Sequence, residues 1–235
     1  MGLGFRVVSS IQRPPRDLVT RFTETDSADL SDVLRHSTTM VGISPMWRPA
    51  PRAVGPAVTV SVPLGGISVL RAGMDACLPG DVLVVAARGA REFSMFGGFI
   101  AQAMANHGLA GLVVDGALRD VEDIQRTGLP AFALGQATAA APSETPGEVN
   151  VTVACAGAVV NPGDIVVADG NGVVVVSPVQ ADLALAALEA LHQRHQSWHD
   201  DIAAGRVPAL GDLYERLADL GCEIEAGQGA TEAGR

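Results

Sequence analysis

The sequence predicts an α/β protein whose mixed sheet is arranged in layers, and three observations support this fold class. From residue 57 to residue 137, short apolar runs typical of strands alternate with runs of helical periodicity. After residue 147, three strand-like runs follow one another, separated by strong turn signals. A long helical pattern then begins at residue 180. Alternating strands and helices favour a parallel sheet, and the later strands favour an antiparallel addition to it.

The predicted elements fall into three regions. Residues 1–15 form an N-terminal arm, which is ordered only if it docks on the rest of the protein. Residues 16–179 form the α/β domain, and residues 180–235 form a C-terminal helix and tail. Helices are predicted at 16–36, 67–77, 94–108, 121–128, 180–205 and 211–220. Strands are predicted at 58–62, 81–87, 111–116, 129–135, 149–160, 164–169 and 172–178.

Composition and charge narrow the possible functions. Hydrophobic residues make up 48% of the chain and aromatic residues only 4%, so we expect a core of Val, Leu and Ala. The formal net charge of -10 argues against a nucleic-acid-binding protein, which needs a basic face. No apolar run reaches the roughly 18 residues of a membrane span and no signal peptide is visible. We therefore expect no membrane partner and a cytoplasmic location.

The cysteines and histidines form no strong metal-binding motif. Cys77, Cys155 and Cys222 are odd in number and widely spaced, which argues against a disulfide framework or a zinc site. Each is expected to behave as a small buried hydrophobe. His195 and His199 lie four residues apart on the predicted C-terminal helix, a spacing that can share a metal ion. A solvated helix face is the simpler interpretation of this pair.

Arg119 and Asp120 stand side by side after a predicted core strand that ends at Asp115-Gly116. Two interpretations of the pair are open. In the first, Asp120 is the N-cap of the following helix and Arg119 makes a surface ion pair. In the second, Arg119 binds a carboxylate through two hydrogen bonds, and Asp120 holds a hard divalent cation together with several water molecules.

A pair of glycines, Gly97-Gly98, precedes another predicted helix. Glycines at a helix start allow a ligand to approach the backbone, where the amides of Phe99 and Ile100 could bind an oxyanion or a substrate carboxylate. Close packing between helices explains a Gly pair equally well. The pattern alone therefore leaves both interpretations open.

A second pair, Gly65-Gly66, also lies between a strand and a helix, and Arg71 follows inside that helix. A glycine-rich loop before a helix can bind phosphate. The stretch lacks both the Lys-Ser/Thr of a phosphate loop and the dinucleotide-binding fingerprint. No nucleotide site is predicted here.

Taken together, the motifs resemble a known superfamily. The segments that carry the resemblance are PGDVLVVA, GGFIAQAMANHGLAGLVVDGALRDVEDI and VACAGAVVNPGDIVVADGNGVVVV, within residues 16–220. They are similar to the 4-hydroxy-4-methyl-2-oxoglutarate / 4-carboxy-4-hydroxy-2-oxoadipate aldolases and to the regulator of ribonuclease activity A. The resemblance implies a β/β/α swivelling-type domain that assembles as a homotrimer or as a hexamer of two trimers. It also implies that the C-terminal region packs on a neighbouring subunit.

The resemblance further implies a lyase that uses Mg²⁺ or Mn²⁺ to cleave a C–C bond of a 2-oxo acid. The products include pyruvate, formed from its enolate by retro-aldol cleavage or by decarboxylation of an oxaloacetate-type acid. Asp120 would bind the metal, and Arg119 would hold the carboxylate or keto oxygen of the substrate. The amides of Phe99 and Ile100, after Gly97 and Gly98, would complete the carboxylate pocket.

The chain also departs from the family pattern. The aldolases place an acidic residue twenty-one positions before the arginine, and here that position is Gly98. A second acidic partner on the C-terminal helix corresponds to His195 in an ungapped comparison. A loop that often reads Gly-Asp-Asn reads Gly65-Gly66-Ile67, and Arg71 follows it. Arg71 favours a second anionic group on the substrate if it lines the pocket.

Three functions remain compatible with these departures. The chain is a lyase in which His195 or a water carries protons, since histidine titrates near neutral pH. Alternatively, it is a decarboxylase, which needs less base catalysis. The third possibility is a non-catalytic binding protein closer in role to the ribonuclease regulator.

Overall fold

The computed structural model describes residues 4–63, 65–207 and 213–224. The strands in these ranges are β1 Arg6–Val7, β2 Ser44–Pro45, β3 Ala53–Ser61, β4 Val82–Phe96, β5 Gly111–Leu118, β6 Ala131–Gln136, β7 Glu148–Val149, β8 Val153–Cys155, β9 Ala158–Val160, β10 Ile165–Ala168 and β11 Val173–Val176. The helices are α1 Arg16–Thr20, α2 Ser27–Val33, α3 Ile67–Ala76, α4 Gly98–His107, α5 Val121–Thr127, α6 Ala181–Ala203 and α7 Leu213–Asp219.

A mixed sheet forms the centre of the first of two compact units, Met1–Glu189. Strands β3, β4, β5 and β6 lie side by side in parallel. Antiparallel neighbours flank them, since β2 pairs with β6 while β7 and β10 pair with β3. Strand β11 continues the sheet beyond β10, and β8 and β9 form a separate two-stranded sheet. Because the parallel strands share one direction, their carboxyl ends meet at one edge.

Side chains alternate between the two faces of the parallel strands and fill two separate cores. On one face, Val58, Val85 and Val114 belong to a cluster that also contains side chains of α3, α4 and α5. On the other face, Val84 and Val113 pack with side chains of β8, β9, β10 and β11. The layers therefore run β, β, α, which confirms the predicted fold class.

A buried aromatic ring offers a test of this packing. Phe132 on β6 is fully buried in the cluster that faces the β layer. Phe132→Ala is expected to lower the free energy of unfolding by about 3–5 kcal/mol, because it removes apolar contacts and leaves a cavity. Guanidinium unfolding measures this loss. The control Phe99→Ala, at a ring that is 90% exposed, is expected to change stability by less than about 0.5 kcal/mol.

Strand β5 is longer than the sequence indicates. The predicted end at Asp115-Gly116 is wrong, because the strand continues to Leu118. The neighbouring β4 also extends beyond its apolar run, and its irregular second half pairs with β5 as far as Phe96 opposite Leu118. Register shifts in that half keep the two strands paired where the apolar pattern has already ended.

The N-terminal arm docks on the first unit. Strand β1 pairs in parallel with β7. Further along the arm, the guanidinium of Arg13 donates hydrogen bonds to both carboxylate oxygens of Asp81, at 2.6 to 3.0 Å. The described part of the arm, residues 4–15, is therefore an ordered part of the fold.

The two polar turns predicted after residue 160 are confirmed, and one of them is built on a buried carboxylate. Asp169 follows β10 and accepts hydrogen bonds from the amide and hydroxyl of Ser27, at 2.8 and 2.6 Å, and from the amide of Asn171 at 2.9 Å. Desolvation by burial raises the pKa of Asp169. The hydrogen bonds and the charge of Arg52 outweigh it and hold the pKa below its ordinary value.

This carboxylate predicts a pH-dependent stability. Because the pKa of Asp169 is lower in the folded state than in the unfolded state, where it is about 3.9, the ionised carboxylate stabilises the fold at any pH above the unfolded value. This stabilisation is lost as the pH falls through the pKa of the folded state. Asp169→Asn is expected to cost about 1–3 kcal/mol at pH 7, and the difference from the parent should shrink below about pH 4. Urea unfolding between pH 3 and 7 measures it. Asp182→Asn, at a carboxylate that is 79% exposed, is the matched control and should show no comparable loss.

The second compact unit is Ala190–Arg235, and within its described part it consists of the end of α6 and α7. Cys222 is exposed there, so the expectation of burial is wrong for this residue. In the described ranges, no helix is both long and apolar enough to span a membrane. The cytoplasmic location, the trimer or hexamer and the packing of residues 180–235 on a neighbouring subunit stay predictions.

Candidate functional site

The carboxyl ends of β4 and β5 place two of the predicted site segments next to each other. Phe96 at the end of β4 pairs with Leu118 at the end of β5. The amide of Arg119 donates to the carbonyl of Phe96 at 3.0 Å, so the ladder extends one residue further. Gly97 and Arg119 therefore leave adjacent strands at the same edge of the sheet, where ligands of open α/β sheets usually bind.

Asp120 has an unusual backbone conformation and reaches across to α4. Its φ of 53° lies in the left-handed region, which aspartate tolerates better than most residues do. Asp120 is the N-cap residue of α5, as the first interpretation has it, but its side chain makes no capping hydrogen bond with that helix. Instead, Oδ2 accepts from the amide of Gly98 at 3.2 Å and lies 3.6 Å from Nε of Arg119. The structure thus brings Asp120, Arg119 and the start of α4 together.

Gly97 is required because of this arrangement. A methyl group at Gly97 would overlap Oδ2 of Asp120 and would lie 3.1 Å from Nε of Arg119. The backbone of Gly97 is extended, with φ −130° and ψ −176°, a conformation that residues other than glycine also adopt. The glycine is therefore needed for the space that the two charged side chains occupy, and not for its conformation.

Asp123 lies opposite Gly98, the position at which the family pattern has an acid. A Cβ atom at Gly98 would overlap Cβ of Asp123, so no side chain fits there without a shift of α4 or α5. Asp123 itself makes an ion pair with Arg126 at 2.5 Å. Asp123 was not predicted as a residue near the site. Its position in the first turn of the helix that follows Asp120 indicates this proximity.

The first turn of α4 presents the backbone amides that the sequence predicted. The amide of Gly98 donates a hydrogen bond to Asp120. No hydrogen bond between described residues uses the amides of Phe99 or Ile100. Unpaired amides and the helix dipole make this turn a favourable place for a carboxylate. The phenyl ring of Phe99 points to solvent and is 90% exposed.

Two cavities meet at Arg119. One, of about 420 Å³, is open and is lined by Arg119, Asp120, Gln136, Ala137 and Thr138. The other is smaller, about 80 Å³, and its wall includes Gly97, Ile100 and Arg119. The guanidinium of Arg119, which is about half exposed, is therefore available to a ligand in either cavity.

The α3 region lies on the far side of the smaller cavity. Arg71 lines that cavity, and its Nε donates to Oδ1 of Asp75 at 3.2 Å in an exposed ion pair. The amides of Gly66 and Ile67 donate to the carbonyl of Pro142, at 3.1 and 3.4 Å. These two amides are therefore already paired within the fold.

The donor set at Asp120 fits a weakly held hard cation. Oδ1 of Asp120 accepts no hydrogen bond from the described part of the chain, and the side chain is about half exposed. Gln136 and Thr138, whose side chains carry oxygen atoms, line the same larger cavity. Nowhere in the described ranges do three His, Cys, Asp or Glu side chains form a group able to hold a metal. Mg²⁺ or Mn²⁺ would therefore need water and substrate oxygens as its other ligands, as Mg²⁺ commonly does.

The remaining predicted residues are a histidine of the second unit and two buried cysteines. His195 belongs to the second unit, where its ring lies 5.3 Å from the ring of Trp198, and its role as proton carrier stays a prediction. Cys77 and Cys155 are buried as expected. Burial raises the pKa of Cys77 to about 12 and also raises the pKa of Cys155, so neither thiol supplies a nucleophile near pH 7.

Comparison with known protein families covers the region of Arg119 and Asp120. The sequence profile described as "RraA-like: Aldolase/RraA" matches residues 27–175, which include β4, β5, α4 and α5. The chain belongs to the RraA-like family. This confirms the resemblance that the sequence motifs indicated.

Individual RraA-like relatives support the assignment. A curated protein of Halalkalibacterium halodurans, named "Putative 4-hydroxy-4-methyl-2-oxoglutarate aldolase", is 34% identical over 170 residues, which cover 72% of this chain and 80% of that protein. The crystal structure of Streptomyces coelicolor RraAS2, "an unusual member of the RNase ES inhibitor RraA protein family", matches with a TM-score of 0.72 at 29% identity, covering 79% of this chain and 97% of that one. An uncharacterized protein from Pseudomonas syringae pv. tomato has the same TM-score at 25% identity, with 84% and 97% covered.

Proposed function

We propose that this RraA-like protein is a divalent-metal-dependent C–C lyase that releases pyruvate from a 2-oxo acid. The observation that carries the proposal is the position of Asp120. Its side chain is about half exposed and lines the larger cavity, its Oδ2 accepts from the amide of Gly98, and Arg119 lies beside it. The relatives named as 4-hydroxy-4-methyl-2-oxoglutarate aldolases support the same class of reaction.

Each group near the cavity has a role in this reaction. Arg119 binds the substrate carboxylate or keto oxygen, since a guanidinium offers paired donors. The amides of Phe99 and Ile100 hold the remaining carboxylate oxygen at the start of α4. Asp120 holds Mg²⁺ or Mn²⁺, and the bound cation supplies Lewis acidity toward the oxygen on which negative charge develops. Water returns a proton to the enolate carbon.

The surroundings of Gly98 favour decarboxylation over retro-aldol cleavage. Retro-aldol cleavage requires removal of a proton from a substrate hydroxyl, whereas loss of CO₂ from oxaloacetate leaves the same enolate without that step. The contact with Asp123 closes position 98 to an acidic side chain. Asp123 cannot replace that acid in the cavities, because it lines neither of the two that meet at Arg119.

The proposal is tested by incubating purified protein with oxaloacetate and, separately, with 4-hydroxy-4-methyl-2-oxoglutarate. We expect the protein to form pyruvate in the presence of Mg²⁺ or Mn²⁺. This formation by the protein should stop when EDTA removes the metal. Oxaloacetate should be the better substrate. Spontaneous decay of oxaloacetate is measured with metal alone, and a rate no higher with protein present would contradict the proposal.

A second candidate is a non-catalytic regulator-like protein. The closed position at Gly98 favours it, as does the similarity to RraAS2, whose family is described as inhibitors of RNase ES. This candidate predicts inhibition of an endoribonuclease of that type in a cleavage assay. Asp120→Asn should leave such inhibition unchanged, whereas it should remove lyase activity.

A further inference from the structure

A third cavity lies at the opposite edge of the sheet from the candidate site, and its volume is about 480 Å³. Its wall includes Val54 and Pro56 near the start of β3 and residues 78–81, which precede β4. Because β3 and β4 run in parallel, these residues lie at the amino edge of the sheet, whereas Arg119 and Asp120 lie at the carboxyl edge. A ligand bound here would leave the proposed lyase site free, so this inference goes beyond the proposed function.

The N-terminal arm contributes a fixed guanidinium to this cavity, that of Arg13. Its Nε and Nη2 donate to the carboxylate of Asp81, whose side chain is only 2% exposed. Nη2 also donates to the carbonyl of Ala76 at 3.1 Å. Nη1 makes no hydrogen bond with any described residue, so its donors remain available to a ligand. A guanidinium that is already held in place loses little conformational freedom when it binds a ligand.

Arg16, the first residue of α1, supplies a second guanidinium to the wall. This guanidinium makes no hydrogen bond or ion pair with any described residue. Among the described residues of the wall, the one acid is Asp81, and both of its oxygens accept from Arg13. With two arginines and one aspartate, the wall carries one net positive charge, although the formal net charge of the chain is -10. A locally positive cavity of this kind attracts anions.

Apolar side chains form much of the remaining wall: Pro14, Val19, Val54, Pro56, Leu78 and Pro79. Leu78 is 52% exposed, so a ligand can cover apolar surface that the fold leaves in contact with water. An apolar group placed against it gains free energy by leaving water. A cavity of this size, with apolar walls and a few polar groups, is typical of sites for small organic ligands.

We propose that this cavity binds a small monocarboxylate with an apolar body, such as an aromatic or branched aliphatic acid. The carboxylate pairs with Arg16 and with Nη1 of Arg13, and the apolar body lies against Leu78 and the neighbouring prolines. A carboxylate matches the paired donors of a guanidinium. Its single negative charge balances the one net positive charge of the wall.

The test uses benzoate as the probe and measures binding to the full chain by ligand-observed NMR titration. Benzyl alcohol keeps the ring without the charge, and acetate keeps the carboxylate without the ring. We expect benzoate to bind with a dissociation constant of about 1 mM or lower, and each analogue to bind at least about fivefold more weakly. Absence of benzoate binding up to about 10 mM, or equal affinity for benzoate and either analogue, would overturn the proposal.

Variants assign the binding to this cavity. Arg16→Gln should weaken benzoate binding about fivefold, because it removes an exposed cation from the wall. The matched control Arg21→Gln removes another exposed arginine at the end of the same helix, which pairs with Asp182, and should leave the affinity unchanged. Leu78→Asn should reduce the preference for benzoate over acetate by about threefold, and Leu78→Met should retain it.

Arg119→Gln separates this cavity from the proposed lyase site, which also binds carboxylates. Benzoate should bind to Arg119→Gln as tightly as to the parent protein, whereas pyruvate release should be lost. Benzoate binding that is lost in Arg119→Gln, or that Arg16→Gln does not weaken, would overturn the proposal. Because the titration requires no turnover, failure of this proposal and failure of the lyase activity are observed separately.

Discussion

Asp120→Asn is expected to lower kcat/KM for pyruvate release by about 10³-fold while leaving the fold intact. The amide oxygen of asparagine can still accept from the amide of Gly98, and asparagine tolerates the left-handed backbone of this position. What the variant loses is the negative charge that binds the cation. The measurements are steady-state kinetics with Mg²⁺ and thermal unfolding of the same preparation.

Two controls make this result specific. Asp182→Asn removes an exposed carboxylate that pairs with Arg21, and it should retain full activity. Metal affinity, measured by Mn²⁺ titration, should fall in Asp120→Asn and not in Asp182→Asn. Retention of activity by Asp120→Asn would exclude Asp120 as the metal ligand of the reaction.

Gly97→Ala is expected to reduce kcat/KM by about 10²-fold with a loss of stability below about 1 kcal/mol. The added methyl group would overlap the end of the Asp120 side chain and would crowd Nε of Arg119. Both side chains are about half exposed and can move aside, so the fold tolerates the change. Displacement of a reacting group by about 1 Å is enough to cost this much activity.

Gly98→Ala is the matched comparison for Gly97→Ala. Its methyl group would overlap Cβ of Asp123 near the helix backbone, which cannot move aside as a side-chain end can. We expect a loss of about 1–3 kcal/mol in the free energy of unfolding and a smaller effect on kcat/KM. If Gly97→Ala retains activity within about threefold of the parent, the geometry of Asp120 and Arg119 does not control the reaction.

The regular part of the fold was predictable because local patterns determine it. The apolar run of β4 and the polar turn after Asp169 agree with the tertiary structure, and the helix predicted at 94–108 is present from Gly98, because Ser94–Phe96 belong to β4. The continuation of β5 through Asp115-Gly116 was not predictable, because pairing with the irregular half of β4 creates it. Such pairing joins residues distant in sequence, and no local periodicity records it.

The candidate site was predictable in its residues but not in its contacts. The motif around Arg119-Asp120 indicated a carboxylate and metal site, and the glycine pair before Phe99 indicated a backbone anion site. That Asp120 bonds to the start of α4, and not to its own helix, depends on how two strands end side by side. The smaller cavity beside Arg119 depends in the same way on side chains from three separate elements.

By itself, the sequence determined the α/β class with a mixed sheet, the family resemblance and the chemical identity of the Arg119-Asp120 pair, because hydrophobic periodicity and short motifs are local properties. Only the tertiary structure decided why position 98 is glycine. The sequence shows that the acid of the family pattern is missing at this position. The fold shows that Asp123 of a neighbouring helix fills the space. That requirement is steric and non-local, since it arises where α4 and α5 pack together at the carboxyl edge of the sheet.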